Sequence, residues 1–494
     1  MKTAMRYLLM LALAGIWPPA AHSLELRLSR DRLTLEAQDV PLQDLLRRFA
    51  AQGVRVKVDP ALSGRITASI RNEDVEKALG TVLDAYNYAL IWRVVHGPLG
   101  PITTLAEIHV FVPGEKENMR PLVPPASETV GAVPKRPGAK TYAYVRGEFL
   151  LRFKPGTNPQ AVQQLLASLG ARVVDGLASR GIYLIRVGTE TDIPALMKTL
   201  ADNSLVQAAE PNYVAFAPTP CMLAPATATP TERTLSPAAK GTALAILDTG
   251  FKSSAGSDLQ PVAWFDAYGV AQTPDDQLGH GTQMALIGSG AVLPVGAPAL
   301  ADTAVPVVAE RVFDSSGYVT SFGILQAVDF AVAQGSRVIS MSWGSSTESS
   351  FIAEALASAT AQDVVLVAAA GNEPTGEPVY PAASANVLAV GATGQDGSVW
   401  SQSNYGDFLD LSAPGIAAFP VGYNGPPGTY GGTSVSAAYV SSVLAQYRTL
   451  HPEVSAADTI IRLKAALTDQ APVGWDPHTG FGVLDAAAVA RFLK

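Results

Sequence analysis

Hydrolysis of an acyl bond through a serine needs a hydroxyl, a base to take its proton, an anion to hold the base, and donors for the developing oxyanion. The sequence offers one candidate for each, in the order Asp248, His280, Asn372 and Ser434. Asp248 follows the apolar run 243–247 and precedes Thr249-Gly250. His280 lies between Gly279 and Gly281, small neighbours that leave an imidazole reachable. Neither His451 nor His478, the other histidines of the C-terminal half, has small neighbours on both sides. Asn372 follows a buried-strand pattern and Gly371, where its amide could donate to a growing negative charge. Ser434 comes after Gly431-Gly432-Thr433 and opens an apolar helical stretch. A helix N-terminus there supplies positive potential and free N–H groups. Ser436 falls two residues further in and points away. Singly, each residue has a plainer reading: a turn aspartate, a structural histidine, a left-handed asparagine, an N-cap serine. Their order and shared context argue for chemistry.

Such side chains must be held by a rigid scaffold. Residues 241–494 alternate short apolar runs (243–247, 304–309, 338–341, 364–369) with helical spacing (322–333, 351–359). Continuous apolar runs suit parallel strands buried on both faces. The alternation predicts an α/β domain with a doubly wound, mainly parallel sheet, whose ligands bind at the carboxyl ends of the strands. Two small α+β domains precede it, at 24–113 and 141–216, each reading β-α-β-β-α-β. In the first, Pro41 opens a helix with Leu42, Leu45, Leu46 and Phe49 on one face. In the second, Asn158-Pro159 opens a helix through Val162, Leu166 and Leu169, and Asp192 starts another. Proline-rich stretches at 114–140 and 217–240 read as extended linkers.

Composition narrows the function. The 494-residue chain carries a net charge of −8 and only 16% charged residues, so it has no basic field for nucleic acid. Lys2, Arg6, the apolar run 7–17 and Ala21-His22-Ser23 read as a signal peptide, 1–23, cut before Leu24. No later run is apolar enough to span a bilayer, so the mature chain is expected to be exported to the periplasm or the exterior with no membrane span. The lone Cys221 excludes an internal disulfide and, in a Pro/Thr/Ala-rich setting without a neighbouring histidine, reads as incidental.

Several motifs then converge. Ala245-Ile-Leu-Asp-Thr-Gly250, Gly279-His-Gly-Thr282, Ala370-Gly-Asn372 and Gly432-Thr-Ser434 resemble those of the subtilases, as do Ser401-Gln-Ser-Asn-Tyr-Gly406 and Leu411-Ser-Ala-Pro-Gly415. The resemblance covers about 241–488 and implies a subtilisin-like serine endopeptidase acting on polypeptides. It implies that His280 deprotonates Ser434 and later protonates the leaving amine. Asp248 would fix the imidazole tautomer, and Asn372 with the Ser434 N–H would bind the oxyanion. Ser342, Trp343 and Gly344, with Ala370 and Gly371, would contact substrate. The chain departs from the family pattern at Ala438, usually proline, at Val435, often methionine, at Trp343, and at Phe251-Lys-Ser-Ser-Ala. Family members often bind calcium, yet no Asp/Asn-rich loop here has the ligand spacing, so no metal or cofactor is expected.

The stretch 141–216 resembles the inhibitory propeptide of that family through Gly147-Glu-Phe-Leu-Leu-Arg-Phe153 and Glu210-Pro-Asn-Tyr213. This implies an intramolecular inhibitor that plugs the site with its tail and is released by a cut in 217–240; an unrelated spacer is the alternative. The stretch 24–113 resembles the short N-terminal domain of secretins and TonB-dependent receptors, through Leu35-Glu-Ala-Gln-Asp-Val-Pro-Leu42 and Ile66-Thr-Ala-Ser-Ile70. It implies an envelope protein as partner. Two functions follow: an active endopeptidase, or an inert envelope interaction protein docking through its first domain. The first is favoured because every group needed is present.

Overall fold

The short apolar runs become neighbouring strands of one sheet. The computed structural model describes residues 24–29, 32–52, 54–95, 102–112, 118–122, 130–132, 143–217, 221–226, 232–236, 241–253, 259–269, 273–314, 317–470 and 472–494. The leader expected at 1–23 lies outside these residues. The chain forms two units, 1–95 with 101–125 and 96–100 with 126–494, and each is described by itself.

In the larger unit, seven strands lie in the order Ala263–Asp266, Val307–Arg311, Leu244–Asp248, Val338–Met341, Val365–Ala369, Val387–Thr393, Leu411–Pro414. Every neighbouring pair is parallel. The four central strands are buried along their whole length, as continuous apolar runs require. Alternate residues feed two cores. One face packs against the helices His280–Ser289 and Thr433–Leu450, and the other against Ser321–Ala333 and Ser350–Ala361. The first strand in chain order, Leu244–Asp248, sits inside the sheet with later strands on either side. The winding therefore reverses there, and the crevice beyond its carboxyl end is the natural place for a site.

An antiparallel sheet precedes this, ordered Arg172–Leu177, Ile182–Arg186, Ala143–Phe153, Val206–Phe216. Its helices, Pro159–Ser168 and Ile193–Ala201, start at caps supplied by Asn158 and Asp192. The expected β-α-β-β-α-β order is present, but the last strand runs beyond 210. Val214, Ala215 and Phe216 pair with Tyr318–Thr320 of the α/β region. Leu150, Ile182, Leu184 and Ala215 join the core that contains Phe322 and Phe351.

Neither linker is wholly unpaired. Arg120–Pro121 pairs with Arg55–Val58, and Val130–Ala132 pairs with Ala143–Phe153. Cys221–Pro225 forms a strand against Gly428–Gly431, which pairs in turn with Ile416–Phe419. Proline at a strand end or edge is compatible with pairing, so the composition concealed these strands.

The N-terminal unit is also larger than expected. Leu24–Ser29, Arg32–Pro41 and Arg65–Asp74 form one antiparallel sheet. Asn87–Val95, Ile102–Phe111, Arg55–Val58 and Arg120–Pro121 form a second. The helices Leu42–Ala51 and Val75–Val82 bury Leu42, Leu45, Leu46, Phe49, Val75 and Leu79 between them. No helix among the described residues is long and apolar enough to cross a membrane.

Candidate active site

Asp248 is the last residue of the strand where the winding reverses, and it is fully buried. Its Oδ1 accepts from His280 Nδ1 at 2.7 Å and from the Thr249 N–H at 2.7 Å. A carboxylate in this position selects the tautomer with the proton on Nδ1, leaving Nε2 as the acceptor. His280 is the first residue of its helix. The preceding Gly279 is left-handed at φ 90°, and a Cβ there would lie 2.2 Å from Gly422 O. A Cβ on Gly281 would lie 2.3 Å from Gly250 O, so both glycines flanking the imidazole permit close backbone approach. Tyr423 stands edge-on to the imidazole, ring centres 6.1 Å apart. Burial, then the nearby Asp248 and Asp276, push its phenol above the ordinary range. Sequence reading missed this aromatic wall, because nothing in the run around Tyr423 marks it.

Ser434 and Asn372 meet at a second point. Thr433 donates to Asn372 Oδ1 from both its N–H and its hydroxyl, each at 2.9 Å. The Thr433 hydroxyl in turn accepts from the Gly371 N–H at 3.1 Å. With its oxygen held, the Asn372 amide must present Nδ2. A Cβ built on Gly432 would lie 3.3 Å from Asn372 Nδ2 and 3.8 Å from the Ser434 N–H nitrogen. Asn372 Nδ2, Asn372 Oδ1 at 3.7 Å and the Ser434 nitrogen all border the place a side chain at 432 would take. Paired N–H donors are the kind of group that holds an oxyanion. Thr433 was not singled out in the sequence, although its place in Gly432-Thr-Ser434 was the available signal.

The helices beginning at His280 and at Thr433–Ser434 pack against each other, and Met284, Ala285, Val435 and Ala438 belong to one buried core. Among the described residues, His280 Nε2 is buried without a hydrogen-bond partner, so the expected link from imidazole to Ser434 is not made in this structure. Ser436 donates to Ala413 O at 2.9 Å, a structural bond consistent with its exclusion from the chemistry.

The expected substrate-binding residues divide. Gly344 makes an antiparallel bridge with Phe216, and the Ala217 N–H donates to Gly317 O at 2.7 Å. The segment 214–217 therefore runs as an added strand between Tyr318–Thr320 and Gly344. Trp343 lines a largely apolar pocket with Val214, Ala215, Ile324 and Ile352. Ser342, the preceding residue, is buried and does not line that pocket. Ala370 and Gly371 are engaged elsewhere: Asn404 Nδ2 donates to Ala370 O at 3.1 Å, and Gly371 meets Thr433 as above. Cys221–Pro225 lies along Gly428–Gly431, the strand that leads into Gly432-Thr433-Ser434.

The sheet that carries this tail is clasped to two helix N-termini. Glu210 accepts from the hydroxyl of Ser349 and, at 2.9 Å, from the N–H and the hydroxyl of Ser350. Asn212 accepts from the Phe322 N–H at 3.1 Å and donates to Glu148 at 2.7 Å. Arg180 Nε and Ser179 both reach Asp329 at 2.8 Å, and Arg152 pairs with Glu354 at 2.8 Å. Burial pushes the Glu210 carboxyl above its ordinary range, against the pull of its serine donors. No three His, Cys, Asp or Glu side chains cluster to hold a metal ion among the described residues, and no step of the chemistry is assigned to one.

Comparison with known proteins finds matches in two stretches of the chain. The subtilase family signature matches residues 239–482, and the fervidolysin N-terminal prodomain matches residues 132–212. The alkaline elastase YaB of Bacillus sp. (strain YaB) is 33% identical over 255 residues, 51% of this chain and 65% of that protein. Subtilisin Savinase of Lederbergia lenta is 34% identical over 256 residues, 51% of this chain and 91% of the relative. A thermophilic serine proteinase of Bacillus sp. (strain AK1) is 30% identical over 318 residues, 61% of this chain and 78% of the relative. The chain thus spans less than two thirds of the elastase's length. Among solved structures, fervidolysin from Fervidobacterium pennivorans, described as a keratinolytic enzyme related to subtilisin, superposes with a TM-score of 0.57. It is 20% identical, and the match covers 73% of this chain and 63% of that one.

Proposed function

The chain belongs to the subtilase family of serine peptidases, and from that premise we propose that it is an exported endopeptidase made as a self-inhibited precursor. The observation that carries the proposal is the buried 2.7 Å Asp248–His280 hydrogen bond at the strand end where the winding reverses. We take Asn372 Nδ2 and the Ser434 N–H, which both lie near the place a side chain at Gly432 would occupy, as the oxyanion donors. In the proposed reaction Ser434 Oγ attacks the peptide carbonyl while His280 Nε2 takes its proton. The carbonyl oxygen becomes an anion between Asn372 Nδ2 and the Ser434 N–H. The C–N bond breaks as His280 returns the proton to the leaving amine. Water then repeats the sequence on the acyl-serine ester and frees the carboxyl product.

Self-inhibition rests on backbone pairing. The 214–217 strand occupies the edge that a substrate chain would use, and Cys221–Pro225 occupies the edge beside the nucleophile. Both edges would have to be vacated before a polypeptide could lie across Ser434. The N-terminal unit is proposed to meet an envelope protein, on its residue likeness to the secretin and TonB-receptor domains.

Replacing Ser434 by Ala tests the reading. The expected result is a chain that stays full length and leaves casein intact. A variant that matures and digests casein at the normal rate would contradict it.

A further inference from the structure

The helix that begins at His280 lacks a capping side chain of its own. Its N-cap residue is Gly279, which carries no cap hydrogen bond. It must be glycine there, because any Cβ would collide with Gly422 O. The first N–H groups of a helix still need acceptors. They find them off the helix. Thr249 Oγ1 accepts from the Gly281 N–H at 2.7 Å, and Asp276 Oδ2 accepts from the Thr282 N–H at 2.8 Å and the Thr282 hydroxyl at 2.6 Å. The other oxygen, Oδ1, accepts from the Gly279 N–H at 2.8 Å, the Leu278 N–H at 3.2 Å and the Thr249 hydroxyl at 2.8 Å. Asp276 is 5% exposed, so water does not compete for these donors.

One carboxylate therefore ties three pieces of chain. It holds Thr249, whose own N–H is bonded to Asp248 Oδ1. It also holds the two residues before His280 and the residue two after it. The 2.7 Å bond between Asp248 and His280 joins the same pieces at their reacting ends. Resting on the proteolytic reading, we infer that Asp276 is a positioning residue for the catalytic pair. It takes over the capping role that Gly279 had to give up, and so fixes the angle and separation of imidazole and carboxylate. It touches neither substrate nor the reacting atoms.

Asp276→Asn tests this at nearly constant shape, since it turns one acceptor into an N–H donor facing donors. In the matured enzyme, kcat is expected to fall about 100-fold with KM within about twofold, the signature of misplaced catalytic groups rather than lost binding. Thr249→Val, which keeps the carboxylate but cuts its link to the Gly281 N–H, is expected to cost about tenfold in kcat. The far-downfield proton resonance of the Asp248–His280 hydrogen bond, recorded on the folded full chain, should shift or vanish in Asp276→Asn and persist in Ser434→Ala. Unchanged kcat in Asp276→Asn, or a loss of kcat with that resonance intact, would overturn the inference. If the unsubstituted mature chain hydrolyses nothing, the proteolytic reading fails instead. The resonance comparison still decides the role of Asp276, because it needs no turnover.

Discussion

Two buried carboxylates in this molecule sit at helix N-termini and do different work. Asp276 caps the His280 helix from within the α/β region, and both its oxygens are filled by donors two to twenty-seven residues away in sequence. Glu210 extends the cap of the Ser350–Ala361 helix from a separate sheet, about 140 residues earlier in the chain. The same electrostatic device, an anion on free N–H groups at the positive end of a helix, lies within one fold at Asp276 and joins a separate sheet to the α/β region at Glu210; on the self-inhibition proposed above, the first is a permanent brace and the second a detachable clasp. A brace inside one fold stays at every stage of maturation. A clasp between two folded parts is lost when they separate. The site edge is thus specified by residue type, and the docking face by contacts that can be broken.

Breaking the site edge should give the largest effects. Ser434→Ala is expected to lower kcat by about 10⁴-fold or more, measured on a peptide amide after supplying an active protease to cut the precursor. Asn372→Ala should lower kcat by about 10²–10³-fold with little change in KM, because Nδ2 acts on charge that exists only in the transition state. An equal loss in KM would place Asn372 in substrate binding instead.

Breaking the clasp should act on release and leave chemistry alone. Glu210→Ala removes an acceptor from three donors, and loss of a cap of this kind costs about 0.5–2 kcal/mol. The inhibitory sheet is expected to leave about 2- to 30-fold more readily, read as a shorter lag before activity appears, with unchanged kcat in the mature enzyme. The smallest effect is a pH dependence. Docking raises the Glu210 carboxyl above its free value, so docking takes up a proton. That contribution is fully present below the ordinary glutamate range and is lost as pH rises through the raised docked value. The lag should therefore shorten on raising pH through that window, and Glu210→Gln should flatten the change. A lag that lengthens with pH would break the comparison between brace and clasp.

Much of the site was legible in the sequence because its chemistry tolerates few residue types. Asp248, His280, Asn372 and Ser434 were each marked by a glycine within two residues, and the structure puts them at a strand end, at two helix starts and in the loop three residues past a strand. The run 338–341 became the strand Val338–Met341, and the helical spacing at 322–333 became Ser321–Ala333. Pairings that span long sequence separations were not legible. Cys221–Pro225 has its partner strand at Gly428–Gly431, and its proline-rich composition spoke for a linker. Arg120–Pro121 was hidden for the same reason. Asp276 was passed over because an aspartate before a glycine turn is common, and its meaning depends on Gly279 being unable to cap. A glycine at the start of a predicted helix, with Asp three residues before it and Thr three after, was the available signal.

The central claim is that Asp248, His280 and Ser434 act as one nucleophilic unit. The most direct measurement treats the mature protein with a fluorophosphonate and locates the adduct by mass spectrometry. The account predicts one adduct, on Ser434, which disappears in His280→Ala while the protein remains folded. An adduct on another serine, or undiminished labelling of Ser434 without His280, would contradict it.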